Sequence, residues 1–290
     1  ASLGTVRSLV RYPVKSMGGE SMSRCAVDKD GIAGDRRFGV VEVDGGRVAS
    51  GKQPRRWAGL LGMRAAYAAG AAGAGAGASA SASAGWREAL RVTLADGREL
   101  RGDDPALVAE LAAMAGRVVR LAEVPIVPPG ASAARLGAVV IERLETEFDK
   151  HPGVEGDLPI GLASPPGSLF DLAPLHLVTQ ATLDALGDVR RFRPNLVIEA
   201  DAPAFSENAW IGRRLRIGAS LTVMILKATS RCVIPTLAQG DLPPDPTMLK
   251  RINSANRVDD PVVGAAPCVG VYAVVVAPGE VTIGDSLTAV

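Results

Sequence analysis

Short runs of alternating apolar and polar residues recur along the chain and predict a protein built mainly of β-strands. Such runs, rich in Val, Ile and Leu, occupy residues 6–16, 21–28, 38–43, 47–50, 59–63, 90–94, 118–121, 175–179, 196–199, 221–226, 270–276 and 281–287. Glycine turns such as Asp30-Gly31 and Asp44-Gly-Gly46 separate the first of them. Because turns of this kind join neighbouring antiparallel strands, the N-terminal part is expected to form an antiparallel sheet or barrel.

Only a few helices are expected between these strands. Asp103-Asp104-Pro105 is typical of a helix start and predicts a helix over 106–115, which Gly116 ends. A second, short helix over 181–187 would be capped by Thr179, and 248–253 would form one or two helical turns. The predicted fold class is therefore mainly β (α+β), with an N-terminal sheet or barrel and a few short helices.

Two stretches of unusual composition indicate how the chain is divided. Residues 65–85 are almost entirely Ala, Gly and Ser, and this predicts a flexible surface insertion between strands 59–63 and 90–94. Residues 125–174 are rich in Pro and Gly and predict a long crossover. We therefore expect one domain over 1–125 and a second over 126–290.

Composition and charge exclude several classes of protein. The net charge is +1 with both signs interspersed, which lacks the basic patch of a nucleic-acid-binding protein. Neither a secretory signal nor a strongly apolar run of about 18 residues is present, so no membrane span is expected. The three cysteines, Cys25, Cys232 and Cys268, form no C-x-x-C pair. We expect a cytoplasmic protein whose partner is a small molecule.

The common catalytic motifs are missing from the sequence. His151 and His176 are the only histidines, and neither lies in an H-E-x-x-H arrangement; His176 is expected to pack in or beside a strand. There is also no G-x-S-x-G elbow, no phosphate-binding P-loop and no Rossmann glycine pattern. These absences argue against the usual zinc hydrolases, serine hydrolases and nucleotide-binding enzymes.

Cys232 is the residue with the most suggestive surroundings. It follows the apolar run 221–226, lies close to Lys227 and Arg231, and precedes Pro235. Positive charge favours the thiolate, the form of cysteine that binds metals. A buried, inert thiol is the alternative that this local pattern leaves open. Together with Lys, Arg, Asn and Ser at other strand ends, a reactive Cys232 would suit an anionic ligand that carries a metal.

Five motifs in order resemble the MOSC family, and more closely its amidoxime-reducing branch. They are Tyr12-Pro-Val-Lys-Ser16, Gly34-Asp-Arg36, Arg193-Pro-Asn195, Ser230-Arg-Cys232 and Ile283-Gly-Asp285. The resemblance implies an N-terminal β-barrel-like domain followed by a MOSC β-barrel domain with a few short helices. It also implies a molybdenum cofactor, the metal bound to its molybdopterin.

The resemblance assigns roles to individual residues. Cys232 would be the metal ligand and the catalytic residue that tunes the molybdenum. The pterin and its phosphate would be held by Lys15, Ser16, Arg36, Arg193, Asn195, Ser230, Arg231 and Cys232. The implied activity is the two-electron reduction of N-hydroxylated compounds. A separate ferredoxin- or cytochrome-type donor protein would deliver the electrons, because the sequence has no clustered cysteines for an iron–sulfur centre.

One segment departs from the family pattern and keeps two alternatives open. Pro235 stands where relatives commonly have a threonine, and Ala238-Gln239-Gly240 lacks the usual acidic residue. The protein is therefore alternatively expected to carry the cofactor or a persulfide without turnover. A specialised molybdenum enzyme of a biosynthetic pathway is the other alternative.

Overall fold

The computed structural model describes residues 2–69, 85–124, 168–260 and 264–290. Within these ranges the chain is mainly β, as predicted. The strands are β1 (Ser2–Arg11), β2 (Glu20–Met22), β3 (Arg24–Asp28), β4 (Gly31–Ile32), β5 (Phe38–Glu42), β6 (Arg64–Tyr67), β7 (Leu90–Thr93), β8 (Glu99–Arg101), β9 (Val119–Glu123), β10 (Leu175–Thr179), β11 (Leu196–Glu199), β12 (Arg214–Ile217), β13 (Leu221–Ser230), β14 (Arg257–Asp260), β15 (Gly264–Ala277), β16 (Gly279–Thr282) and β17 (Ser286–Ala289).

Helices in the described ranges are short. They are α1 (Pro54–Trp57), α2 (Trp86–Ala89), α3 (Pro105–Ala115), α4 (Gln180–Leu186) and α5 (Met248–Ala255), and four 3₁₀ turns accompany them. The predicted caps are present: the side chain of Asp104 accepts from the backbone N–H of Ala106, and Thr179 does the same for Thr182. None of these helices is long and apolar enough to cross a bilayer.

Seven strands close into a barrel around one apolar core. Their order is β10-β11-β1-β17-β12-β13-β15, and β15 pairs with β10 to complete the ring. Only the β10–β11 pair among these seven is parallel. Fully buried side chains such as Leu9, Ile198, Leu215 and Ile225 fill the interior. Strand β1 thus lies in a barrel whose other six strands all follow residue 174.

A second core lies beneath the sheets of the N-terminal part. Strands β6, β7 and β8 form one sheet, β5 pairs with β9, and α3 packs beside β9. Phe38, Trp57, Trp86 and Leu107 are among the buried side chains that fill this core. A third small sheet, β16-β3-β4, joins strands from the two ends of the chain. The division at residues 125 and 126 stays a prediction.

The structure corrects the prediction for 59–63. This segment is a 3₁₀ turn, Ala58–Gly62, and the strand that pairs with β7 is β6, which follows it. A short apolar run fits either structure, and here Leu60 and Leu61 are both buried on the turn. Strand β6 also extends to Tyr67, into the segment expected to be an insertion. The rest of that insertion from 70 to 84, His151, and the crossover from 125 to 167 lie outside the described residues.

Candidate functional site

All eight residues predicted for the site line a single cavity. They are Lys15, Ser16, Arg36, Arg193, Asn195, Ser230, Arg231 and Cys232. They come from loops at the ends of β1, β11 and β13 and from the turn before β5, which the barrel closure brings together. The enclosed space measures about 90 Å³, and the cleft measures about 770 Å³ when its open mouth is included.

Cys232 lies two residues beyond the end of β13, as the sequence predicts. It is partly exposed, whereas Cys25 and Cys268 are buried. Burial raises the pKa of Cys25 to about 12, which leaves that thiol protonated at neutral pH. Lys227 is not among the residues that line the cavity, so Arg231 is the neighbouring cation that faces it.

The backbone adopts a strained, left-handed conformation at several of the cavity residues. In the described ranges, the non-glycine residues with a positive φ are Ser16 (68°), Arg36 (46°), Arg193 (57°) and Phe205 (66°). Three of these four residues line the cavity. Left-handed backbone at such residues costs free energy and is commonly found at binding and catalytic sites.

A buried network around Asp35 fixes two of the site residues. Asp35 accepts hydrogen bonds from the Arg36 guanidinium, from the Asn195 Nδ2 at 3.1 Å and from the backbone N–H of Tyr12 at 2.7 Å. Burial tends to lower the pKa of Arg36, but the carboxylate of Asp35 outweighs it and the pKa is raised. Asn195 also accepts from the backbone N–H of His176 at 3.2 Å. The Arg36 and Asn195 side chains are therefore held in place before any ligand arrives.

Two guanidinium groups stack on one tyrosine beside this network. The Arg36 and Arg193 guanidinium carbons lie 4.7 and 4.4 Å from the centre of the Tyr12 ring. The Tyr12 hydroxyl donates to the carbonyl of Pro194 at 3.1 Å, and burial raises the pKa of that hydroxyl to about 12. Burial also lowers the pKa of Arg193 to about 10, so this group is still a cation at neutral pH.

Arg231, which precedes Cys232, binds the chain segment that contains Arg193. Its Nη2 donates to the carbonyl of Phe192 at 3.0 Å, and its backbone N–H donates to Pro267 at 2.9 Å. Its Nε is buried and has no hydrogen-bond partner among the described residues. A buried charged donor left unpaired is costly, and a ligand acceptor would relieve that cost.

The cavity also contains residues that the sequence analysis did not assign to the site. Ser50, Lys52, Phe170, Asp171, His176 and Tyr272 line it. His176 lies in a strand, as predicted, and its Nε2 is 2.9 Å from the carbonyl of Val269. Burial lowers the pKa of His176 to about 3 and raises that of Tyr272 to about 12, so both are neutral at neutral pH. Phe170 and Asp171 lie in the segment that was expected to be a crossover, where no local pattern marks them as site residues.

The donor set fits a molybdenum cofactor. A thiol suits the metal, Lys and Arg suit a phosphate, and Ser230 can bond to the edge of a heterocycle. The Asn195 amide is already engaged, because its Nδ2 donates to Val10 and Asp35 and its Oδ1 accepts from His176. The unpaired Nε of Arg231 adds a donor without an acceptor.

Comparisons with known proteins identify two domains in the chain. The MOSC N-terminal beta barrel domain matches residues 3–66, and the MOSC domain matches residues 171–288. A solved structure described as a hypothetical protein is 17% identical with a TM-score of 0.29, and the match covers 40% of this chain and 51% of that one. The YUAD protein from Bacillus subtilis is 10% identical with a TM-score of 0.35, over 98% of this chain and 93% of that one.

This chain spans about half the length of the hypothetical protein. No curated protein matches the chain. The two domain matches lie at the ends of the sequence, and each contributes residues to the cavity. The chain therefore contains a MOSC N-terminal beta barrel domain followed by a MOSC domain.

Proposed function

We propose that the cavity binds a molybdenum cofactor and that the protein reduces N-hydroxylated compounds. The observation that carries this proposal is the convergence of Lys15–Ser16, Arg36, Arg193–Asn195 and Ser230–Cys232 on one cavity. These groups come from four separate parts of the chain, and their chemistry matches the thiolate, phosphate and heterocycle contacts that such a cofactor needs.

Different residues of the cavity would bind the metal, the phosphate and the pterin of the cofactor. Cys232 would hold the metal, because it is the partly exposed thiol of the cavity. Lys15, Arg193 and Arg231 would balance the negative charge of the phosphate, and Ser230 would bond to the pterin edge. Asn195 would act indirectly, since its amide bonds to Asp35 and Arg36 and holds that arginine in place. When bound, the cofactor would supply two-electron reduction. The overall reaction, R–NH–OH + 2e⁻ + 2H⁺ → R–NH₂ + H₂O, breaks the N–O bond and releases its oxygen as water.

The electrons would come from a separate donor protein of the ferredoxin or cytochrome type. The cavity opens to the surface through its mouth, which leaves access for the substrate. His176 and Tyr272 are neutral, so the cations that line the cavity are Lys and Arg side chains. Protons would therefore be delivered by water or by the substrate rather than by an imidazolium.

Metal and pterin analysis tests the proposal. Protein from a host that makes the cofactor is expected to contain about one molybdenum and one pterin per chain, and to reduce a model hydroxylamine under chemical reduction. Absence of both metal and pterin would overturn the proposal and favour a persulfide carrier. A full load of cofactor without turnover would favour a cofactor carrier.

The variant Cys232→Ala gives the sharpest test of the ligand assignment. We expect turnover to fall to the uncatalysed background, since the protein ligand of the metal is lost. Stability should change by only about 1 kcal/mol, as is usual for a small side-chain deletion. Cys25→Ala is the matched control, because that thiol is buried in the barrel core and does not line the cavity. Full turnover in Cys232→Ala would show that the assignment is wrong.

A further inference from the structure

One carboxylate lies between two lysines at an end of the cavity. The Asp171 Oδ1 is 2.9 Å from the Lys15 Nζ and 3.1 Å from the Lys52 Nζ. Burial alone would raise the pKa of Asp171, but the two ammonium groups outweigh it and lower the pKa below its usual range. Asp171 is therefore a carboxylate at neutral pH, and one of its oxygens is shared by two cations.

The two lysines belong to loops that are fastened to each other. Lys15 comes after β1 and Lys52 comes before α1. The backbone N–H of Gly51 donates to the Ser16 Oγ at 3.0 Å, and the backbone N–H of Lys15 donates to the carbonyl of Phe38 at 2.8 Å. The backbone positions of Lys15 and Lys52 are thus fixed relative to each other, which lowers the ordering cost when their ammonium groups bind a shared anion.

The remaining lining residues leave the cavity strongly cationic. Asp171 is the one acidic side chain among its lining residues in the described ranges, against five cationic ones: Lys15, Arg36, Lys52, Arg193 and Arg231. Asp35 lies behind Arg36 and neutralises one of these charges. Such an excess of positive charge in a cleft attracts anionic ligands.

The carboxylate of Asp171 resembles a phosphate in the groups that it offers to the two lysines. A carboxylate and a phosphate both present oxygens that accept from ammonium groups. The side chain of Asp171 is 40% exposed, and that of Lys52 is 43% exposed, so both are within reach of an incoming ligand. Lys15 is fixed more firmly, because its Nζ also donates to the carbonyl of Leu169 at 2.8 Å.

We propose that Lys52 joins Lys15 in binding an oxyanion of the ligand. In the free protein, the carboxylate of Asp171 occupies the position of that oxyanion between the two ammonium groups. The oxyanion is a phosphate or a carboxylate. The inference rests on the proposed function for the source of that group, which is either the phosphate of the cofactor or an acid group of the substrate. Lys52 is outside the set of residues that the family resemblance implies.

Binding of inorganic phosphate to protein made without the cofactor tests the two-lysine site directly. Titration calorimetry is expected to detect binding by the unaltered protein. Lys52→Met should weaken it about tenfold, since one of two ammonium partners is removed. Asp171→Asn should tighten it about tenfold, since the competing carboxylate is removed. Lys29→Met is the matched control, because Lys29 pairs with Asp30 at 2.8 Å but does not line the cavity.

Two results would overturn the inference. One is phosphate binding that is absent or that Lys52→Met leaves unchanged. The other is a folded Asp171→Asn protein that binds phosphate no more tightly than the unaltered chain. Thermal unfolding of each variant shows whether it is folded, and Asp171→Ser replaces Asp171→Asn if the latter is not. Because this experiment uses no cofactor, its outcome does not depend on whether the protein contains molybdenum.

Protein loaded with the cofactor then identifies the source of the oxyanion. If the group is the cofactor phosphate, Lys52→Met should lower the bound pterin several-fold. If it belongs to the substrate, pterin content should hold while the KM for an N-hydroxy amino acid rises about tenfold and the KM for an uncharged hydroxylamine does not. If neither pterin content nor either KM changes, Lys52 does not contact the ligand and the inference is wrong.

Discussion

The buried imidazole of His176 shows how closely the cavity is joined to the barrel core. It lies on β10 with its Nε2 2.9 Å from the Val269 carbonyl, and Gly270 packs so tightly that an added Cβ would be 2.5 Å from that nitrogen. Only glycine fits there, since this residue also has a φ of +74°. The contact of His176 with Val269 and Gly270 therefore belongs both to the cavity wall and to the barrel.

Because its charge is disfavoured by burial, His176 should make folding depend on pH. Its pKa falls from 6.5 to about 3 on folding, so the unfolded chain binds the proton more readily between these values. The contribution of neutral His176 to the free energy of unfolding is complete above pH 6.5. It is lost as the pH falls towards 3, by up to about 1.4 kcal/mol per pH unit. Denaturant unfolding at a series of pH values should show this loss.

His176→Gln provides the comparison for that experiment. Glutamine can still donate to the Val269 carbonyl but takes up no proton in this range. The variant should lose less stability than the unaltered protein as the pH is lowered from 6 to 4. Equal slopes for the two proteins would mean that His176 is not the group responsible.

Sequence reasoning reached the cavity residues that belong to motifs and missed those that do not. Lys15, Arg36 and Cys232 were predicted because each lies in a recognisable motif. Lys52 and Tyr272 were not, because one lies in a polar loop and the other in an apolar strand, where neither has a local feature that marks it. Their proximity arises from pairing between distant segments, which local sequence does not encode.

At the scale of elements, a buried arginine binds the backbone of the loop after Cys232 at three points. Arg191 donates from its Nη1 to the carbonyls of Pro235 and Leu237, at 3.0 and 3.2 Å, and from its Nη2 to Pro243 at 2.6 Å. In the opposite direction, Arg231 donates to the carbonyl of Phe192. Each of the two segments thus supplies an arginine that binds the backbone of the other.

Replacement of Arg191 should therefore disturb the loop more than replacement of its neighbour. Arg191→Gln removes three hydrogen bonds from a charged donor, and we expect it to lower the free energy of unfolding by roughly 2–4 kcal/mol. Arg190→Gln should cost less than about 1 kcal/mol, because Arg190 is half exposed and its partners Asp188 and Asp241 are at the surface. Urea titration of both variants measures the difference. Similar losses for the two would contradict the role given to Arg191.

Elements with a clear pattern were predicted well, and the exceptions have a physical reason. Strands β10 and β11 and helix α3 follow the predicted bounds within a residue, because buried strands and a capped helix have strong local signals. The 3₁₀ turn Ala58–Gly62 was expected to be a strand. Over only five residues, the spacing of apolar side chains in a helical turn cannot be told from their spacing in a buried strand. Strand β13 runs four residues further than predicted, to Ser230, because its pairing with β15 extends it.

At the scale of the whole molecule, the barrel depends on its first strand. β1 lies between β11 and β17, with Thr5 paired to Glu199 on one side and to Ser286 on the other. Without β1 those two strands would each expose an unpaired edge and the core around Leu9 would open. No local pattern predicts this arrangement, since it joins residues that lie far apart in the sequence.

A fragment of residues 171–290 should consequently fail to fold, although it contains the whole matched MOSC domain. We expect it to aggregate or to lack cooperative thermal unfolding, as measured by circular dichroism. A second fragment that joins residues 2–33 to 172–290 by a short flexible linker should recover the transition. Such a junction is feasible because Gly31 packs against Pro174. Cooperative unfolding of the first fragment alone would show that β1 is dispensable.

The position of β1 also sets the order of events during synthesis. Among the strands that the structure describes, β1 is synthesised before its partners, and only β2, whose Met22 pairs with Leu9, follows it closely. Its two barrel neighbours are made much later, and β17 is the last of the described strands. Topologies dominated by such distant pairs fold slowly, and their partly folded chains expose apolar edges meanwhile. Yield in the cell should therefore depend on how well β1 is shielded until the final strand is complete.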